Sequence, residues 1–145
     1  MQIEHLVLDY NGTLACDGDL VVGVKSRLND LAKEVGVHVV TADTFGKVRA
    51  ALEGVHSELV VLDSLQQAES KLAYVEKLGS DRTVAIGNGR NDRLMVKAAA
   101  LGIVVIGGEG AAIETLMAAD IIVPDAVAAL ELLRHPLRLV ATLRT

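Results

Sequence analysis

The feature that most limits what this chain can fold into is a repeated exchange of apolar runs and helix-compatible segments. Strand-like runs recur at residues 3–8, 37–40, 59–62, 83–86, 103–106 and 121–123. Segments suited to helices, at 24–34, 44–53, 65–78, 91–100 and 111–118, fill most of the gaps between them. That alternation predicts βαβ units and a parallel sheet covered on both faces. The core agrees with this: 51% of the residues are hydrophobic, yet the aromatics are only two Tyr and one Phe. Strands buried on both faces are built from such aliphatic side chains. Gly36, Gly79 and Gly102 each follow a helical stretch and read as its C-terminal stop. Residues 126–144 read as two short helices divided by Pro136. The expected fold class is α/β: a single domain over 1–145 with three layers around a Rossmann-like parallel sheet.

Several function classes fall away on composition. The net charge is −5 and the basic residues are scattered, so no nucleic-acid surface is expected. Charges interrupt every apolar run before it reaches membrane-spanning length. The start of the chain lacks a signal-peptide layout, and the single Cys16 allows no internal disulfide framework. A soluble, cytoplasmic protein is expected. Cys16 has no base near it in sequence, and the four histidines are isolated from one another, so both residue types read as structural. Gly107-Gly108-Glu109-Gly110 lacks phosphate-loop spacing and reads as a plain turn. Residues 14–23, with Gly18 and Gly23, read as a small hairpin flap beside the end of the first strand.

The first apolar run stops at Asp9, and Tyr10-Asn11-Gly12-Thr13 follows. An acid at the carboxyl end of a parallel strand stands where ligands of such sheets collect. Three further stretches follow in order: Val39-Val40-Thr41-Ala42-Asp43 at the end of the second strand, Lys71 on the helix before the fourth, and Gly87-Asn88-Gly89-Arg90-Asn91-Asp92 after it. Together the four resemble the motifs of the haloacid dehalogenase superfamily, whose usual first motif is D-x-D-G-T. The second half, from Lys71-Leu72-Ala73-Tyr74 to Asp120-Ile121-Ile122-Val123, is similar to the phosphorylation domain of P-type ATPases and to a small group of soluble relatives of those pumps.

The resemblance implies an enzyme that works through an aspartyl phosphate with Mg2+ as cofactor. Asp9 would be nucleophile and metal ligand, and the carbonyl of Asn11 a second ligand. Thr41 and Lys71 would hold the phosphoryl oxygens, with Gly12 and Ala42 lining the substrate. Asn88 and Asp92 would complete the metal site. Each has a plainer reading too: Thr41 as a cap for the helix near Thr44, Lys71 as a solvated helix residue, Asp92 as a helix N-terminal charge. Thr41 follows Asp9 by only 32 positions and Lys71 follows Thr41 by 30, so neither position for a cap domain is filled. An uncapped site implies a large or macromolecular substrate, or a homo-oligomer, beside the phosphorylated small molecules usual for the family. The same spacing leaves no room for the pumps' nucleotide-binding insertion, which excludes ion pumping.

Two asparagines depart from the family pattern. Asn11 stands where the phosphatases have their general acid, and an amide cannot exchange a proton near neutral pH. Asn88 removes a carboxylate from the metal site. The expected activity is a slow phosphohydrolase or phosphotransferase. The alternatives are a regulatory protein that binds a phosphorylated ligand or keeps a long-lived acyl phosphate, and a dehalogenase-like enzyme attacking carbon. The retained Asp92 counts against the last.

Overall fold

The computed structural model describes residues 2–42 and 46–145. In chain order it has β1 (His5–Asp9), a hairpin of β2 (Ala15–Cys16) and β3 (Asp19–Leu20), α1 (Val24–Leu31), β4 (Gly36–Thr41) and α2 (Lys47–Ala51). Then come β5 (Glu58–Val61), α3 (Gln67–Leu78), β6 (Thr83–Gly87), α4 (Arg93–Ala98), β7 (Leu101–Val105), α5 (Ile113–Ala118), β8 (Ile121–Val123), α6 (Ala126–Arg134) and α7 (Pro136–Leu143). Six strands form one parallel sheet in the order β5-β4-β1-β6-β7-β8, and β2 pairs only with β3. Counting the six alone, this is the doubly wound order 3-2-1-4-5-6. Ligands of such sheets bind beyond the carboxyl ends where the winding reverses, here around β1.

Alternation along the strands sorts the core into two layers. Leu6 and Leu8, Val37 and Val39, and Val84 and Ile86 pack with α1, α6 and the hairpin. Val7, Val40 and Ala85 face the other way, against Val75 of α3 and Met95 and Val96 of α4. Period-two geometry therefore puts Asp9 in the same row as Val7, toward α3 and α4. This parity lets a lysine on α3 meet an aspartate on β1.

The α/β parallel sheet, the hairpin flap and the break at Pro136 are as the sequence predicts. Two glycine stops are corrected. Gly79 does end α3, with φ 105°. Gly36, however, opens β4, and Gly102 lies inside β7. A Cβ at Gly102 would come within 2.1 Å of the Val96 carbonyl oxygen, so this glycine serves close packing of strand on helix. The helix predicted at 91–100 is shorter, because a 3-10 turn (Arg90–Asp92) precedes α4. Asp43 and Thr44, read as T-x-D motif residue and helix start, lie outside the described residues.

The histidines are not all isolated. His5 Nδ1 lies 3.1 Å from His38 Nε2, and His38 Nδ1 lies 2.7 Å from the Tyr74 hydroxyl, tying β1 and β4 to α3. Burial first, then His5, pushes the His38 pKa below its usual 6.5, against the opposing pull of Glu58. The folded state thus favours neutral His38, so stability is full above about 6.5 and falls as the pH drops below it. Melting temperatures at pH 7.5 and 5.5 should show that loss in the wild type and a smaller one in His38→Gln.

Candidate active site

Asp9 ends β1, and the chain after it folds back at once. The Tyr10 carbonyl accepts from the N–H groups of Thr13, Leu14 and Ala15 at 3.0–3.2 Å. The buried Tyr10 hydroxyl donates to the Gly18 carbonyl at 3.1 Å, anchoring the hairpin over the strand end. Gly12 has φ 81°, and a Cβ there would lie 2.3 Å from the Asn88 amide nitrogen. Only glycine meets both demands. Its N–H donates to the Ala15 carbonyl at 2.8 Å, so Gly12 shapes the site and has no free donor for a ligand.

Lys71 is 1% exposed, far from the solvated helix residue of the plainer reading. Its ammonium donates to Asp9 Oδ1 at 2.8 Å, to Asp92 Oδ1 at 2.7 Å and to Asn91 Oδ1 at 3.3 Å. All three of its protons are engaged. Asp92 is completely buried, and its Oδ2 accepts from the N–H groups of Asn88 and Gly89, each at 3.0 Å. The same carboxylate therefore caps the turn before α4 and pairs with the lysine. A Cβ at Gly87 would strike the Asp92 side chain at 2.5 Å, which explains the glycine that ends β6. Thr13 Oγ1 lies 3.2 Å from Asp9 Oδ2 and 3.1 Å from Asn88 Oδ1, its single proton serving either acceptor.

Two buried carboxylates thus share one buried ammonium. Burial, then Asp92, pushes the Asp9 carboxyl from 3.8 up to about 7, while Lys71 and Thr13 pull it back. Burial alone would lower Lys71, but Asp9 and Asp92 more than offset it and keep the amine protonated. An excess negative charge in a buried, oxygen-lined site suits a hard cation such as Mg2+. The donor set fits that ion through Asp9 and the exposed Asn11, whose side chain makes no hydrogen bond among the described residues.

Asn88, expected in the metal site directly or through water, also ties two loops together. Its Nδ2 donates to the Gly110 carbonyl at 3.0 Å, while its Oδ1 faces Thr13. The amide clasps the strand-end turn to the loop after β7, its nitrogen committed and its oxygen keeping a lone pair for a further partner. That loop is the plain turn expected, closed by a bridge between Gly107 and Gly110. A carboxylate at 88 would face the Gly110 carbonyl without a proton between them. Asn88→Asp should therefore destabilise the metal-free protein by about 1–3 kcal/mol, measured by urea unfolding at pH 7.5.

Thr41 is buried at the carboxyl end of β4, beside the strand of Asp9, and Ala42 follows it. The contacts of Thr13 and Asn91 escaped the sequence reading, although both residues stand inside the quoted motifs. Cys16 stays an unactivated thiol, raised first by burial and then by Asp17, Glu109 and Asp19.

No protein-family model matches the chain. An uncharacterized protein of Methanocaldococcus jannaschii, MJ0073, is 47% identical over 79 residues, covering 52% of this chain and 85% of that protein. The chain belongs to the family of that archaeal protein. Among solved structures, 3-deoxy-D-manno-octulosonate 8-phosphate phosphatase from Moraxella catarrhalis, in complex with magnesium, phosphate and the sugar, superposes with TM-score 0.75 at 17% identity. That match covers 98% of this chain and 94% of the other. The cobalt-bound enzyme of the same name from Haemophilus influenzae gives TM-score 0.74 at 15% identity, over 98% and 90%. The likeness shows a shared fold, and both of these structural neighbours are phosphatases.

Proposed function

We propose that this protein is a Mg2+-dependent phosphohydrolase or phosphotransferase that works through an aspartyl phosphate on Asp9. The observation that supports it most is the buried Lys71 ammonium held between Asp9 and Asp92 beyond the end of β1. An Asp9 oxygen attacks phosphorus, and the bond from phosphorus to the leaving oxygen breaks. That oxygen takes its proton from solvent, since Asn11 has none to give. Water then attacks phosphorus, the acyl phosphate bond breaks, and free phosphate leaves with Asp9 restored. Lys71 sets a point charge against the phosphoryl oxygens, and Thr41, at the carboxyl end of the neighbouring β4, would serve them as well. Asp9 and the carbonyl of Asn11 would hold Mg2+, which would offset the charge of the incoming phosphoryl group. Asp92, already bonded to Lys71 and two N–H groups, acts behind that layer.

The missing proton carrier makes Asn11→Asp the direct test of rate. Proton transfer by a positioned side chain contributes roughly a hundred- to ten-thousand-fold. Phosphate release from p-nitrophenyl phosphate with Mg2+ should rise at least tenfold in Asn11→Asp. An unchanged rate would place the limit elsewhere than at proton transfer.

The exposed, unbonded Asn11 also favours a second reading, in which the acyl phosphate persists and serves as a switch. The second-half stretches from Lys71 to Val123 support the branch related to the P-type ATPase phosphorylation domain. Among the described residues only the β2–β3 hairpin and α2 stand near the cap positions. This open site supports a bulky substrate or closure by a second copy. No helix of the described residues is long and apolar enough to cross a membrane.

A further inference from the structure

A groove of about 310 Å³ is lined in part by Asn91, whose side chain also meets the Lys71 ammonium. Its lining includes Gln67 and Ala68 from the first turn of α3, Asn91, and the cations Arg90 and Arg93. Asn91 belongs to both places: its Oδ1 meets the Lys71 ammonium at 3.3 Å, and its Nδ2 donates to Gln67 Oε1 at 2.7 Å. A phosphoryl group held at Lys71 therefore has this groove as its neighbour.

The groove's charge is unusual for the molecule. The chain carries net charge −5, yet two guanidinium groups face one acid, the exposed Glu69, among the lining residues. Arg90 is matched by Glu114 outside the groove at 2.5 Å. Arg93 has no carboxylate partner among the described residues, and its Nη1 donates to the Arg90 carbonyl at 3.0 Å. That bond fixes the fork and leaves its remaining N–H donors for an anion.

We infer that the groove takes the leaving-group side of the substrate, and that this part carries a second anion, a carboxylate, which pairs with Arg93. The inference rests on the phosphohydrolase reading and narrows its substrate class to small phosphorylated acids. A partly exposed charge pair is worth little when solvated, but a bidentate Arg–carboxylate bond within a groove supports about a tenfold preference.

Calorimetry on the full chain with Mg2+ tests this. The probes are phosphonocarboxylates with one to three methylenes between phosphorus and carboxylate, each against the alkylphosphonate of the same length. At least one phosphonocarboxylate should bind about tenfold more tightly than its match, and Arg93→Gln should bring that ratio to near one. Equal affinity within every pair, or a preference that survives Arg93→Gln, overturns the groove assignment while leaving the phosphohydrolase reading intact. Failure of all the phosphonates to bind overturns both. Lys97→Gln, an exposed cation on α4 outside the groove, should leave the ratio unchanged.

Discussion

Asp9→Asn is expected to abolish turnover and, in the metal-free protein at pH 8, to raise stability. The loss of turnover follows from removing the attacking oxygen, and should be on the order of a thousand-fold or more. The gain in stability follows from where the carboxyl sits. Its folded pKa of about 7 lies above the 3.8 of an unperturbed aspartate, because burial and Asp92 oppose its charge. Such a group is best tolerated below about pH 4, and its stability is lost as the pH rises through about 7. A shift of that size corresponds to roughly 4 kcal/mol at most. Asparagine keeps the shape without the charge and leaves Lys71 and Asp92 as a matched pair. Urea unfolding should show a gain of about 1–4 kcal/mol at pH 8 that shrinks toward zero as the pH approaches 4. A destabilised Asp9→Asn at pH 8 would mean that the ionised carboxylate is a net favourable part of the fold.

Lys71→Met has the opposite signature. The thioether fills similar space, but two buried carboxylates lose their shared cation. Breaking a buried pair by removing one partner costs about 3–5 kcal/mol. The loss should be largest at pH 8 and smaller at pH 5, because the Asp9 carboxyl, its folded pKa raised by burial and Asp92, then takes up a proton. Phosphate release should fall by about a hundred-fold or more, since the point charge opposing the phosphoryl oxygens is gone. Lys77→Met, on the exposed face of the same helix, should change stability by less than about 0.5 kcal/mol. A similar small effect at Lys71 would contradict the buried ion cluster.

The strands were legible because aliphatic runs of strand length are hard to place anywhere but in a two-sided parallel sheet. Asp9 was legible as well, since an acid ends the first run and a turn follows. Lys71 needed more than local pattern: a lysine in the second turn of a helix looks solvated until strand parity turns Asp9 toward α3. What escaped the reading depends on groups far apart in sequence. Asn88 reads from its motif as a metal-site residue, and its bond to the Gly110 carbonyl, 22 positions on, leaves no local mark. His5 and His38 look isolated because 33 positions separate partners that adjacent strands bring together. Gly102 reads as a helix stop, whereas the close carbonyl of Val96 decides its identity. Arg93 has no motif to announce it, and only the groove gives it a role.

The central claim is that Asp9 carries the phosphoryl group. Incubation of the full chain with Mg2+ and acetyl phosphate, an acid quench, and peptide mapping by mass spectrometry would test it most directly. One phosphoryl addition on the peptide containing Asp9, absent from Asp9→Asn, is the predicted result. Phosphate release that proceeds at the wild-type rate in Asp9→Asn, or an adduct mapped to another residue, would contradict it.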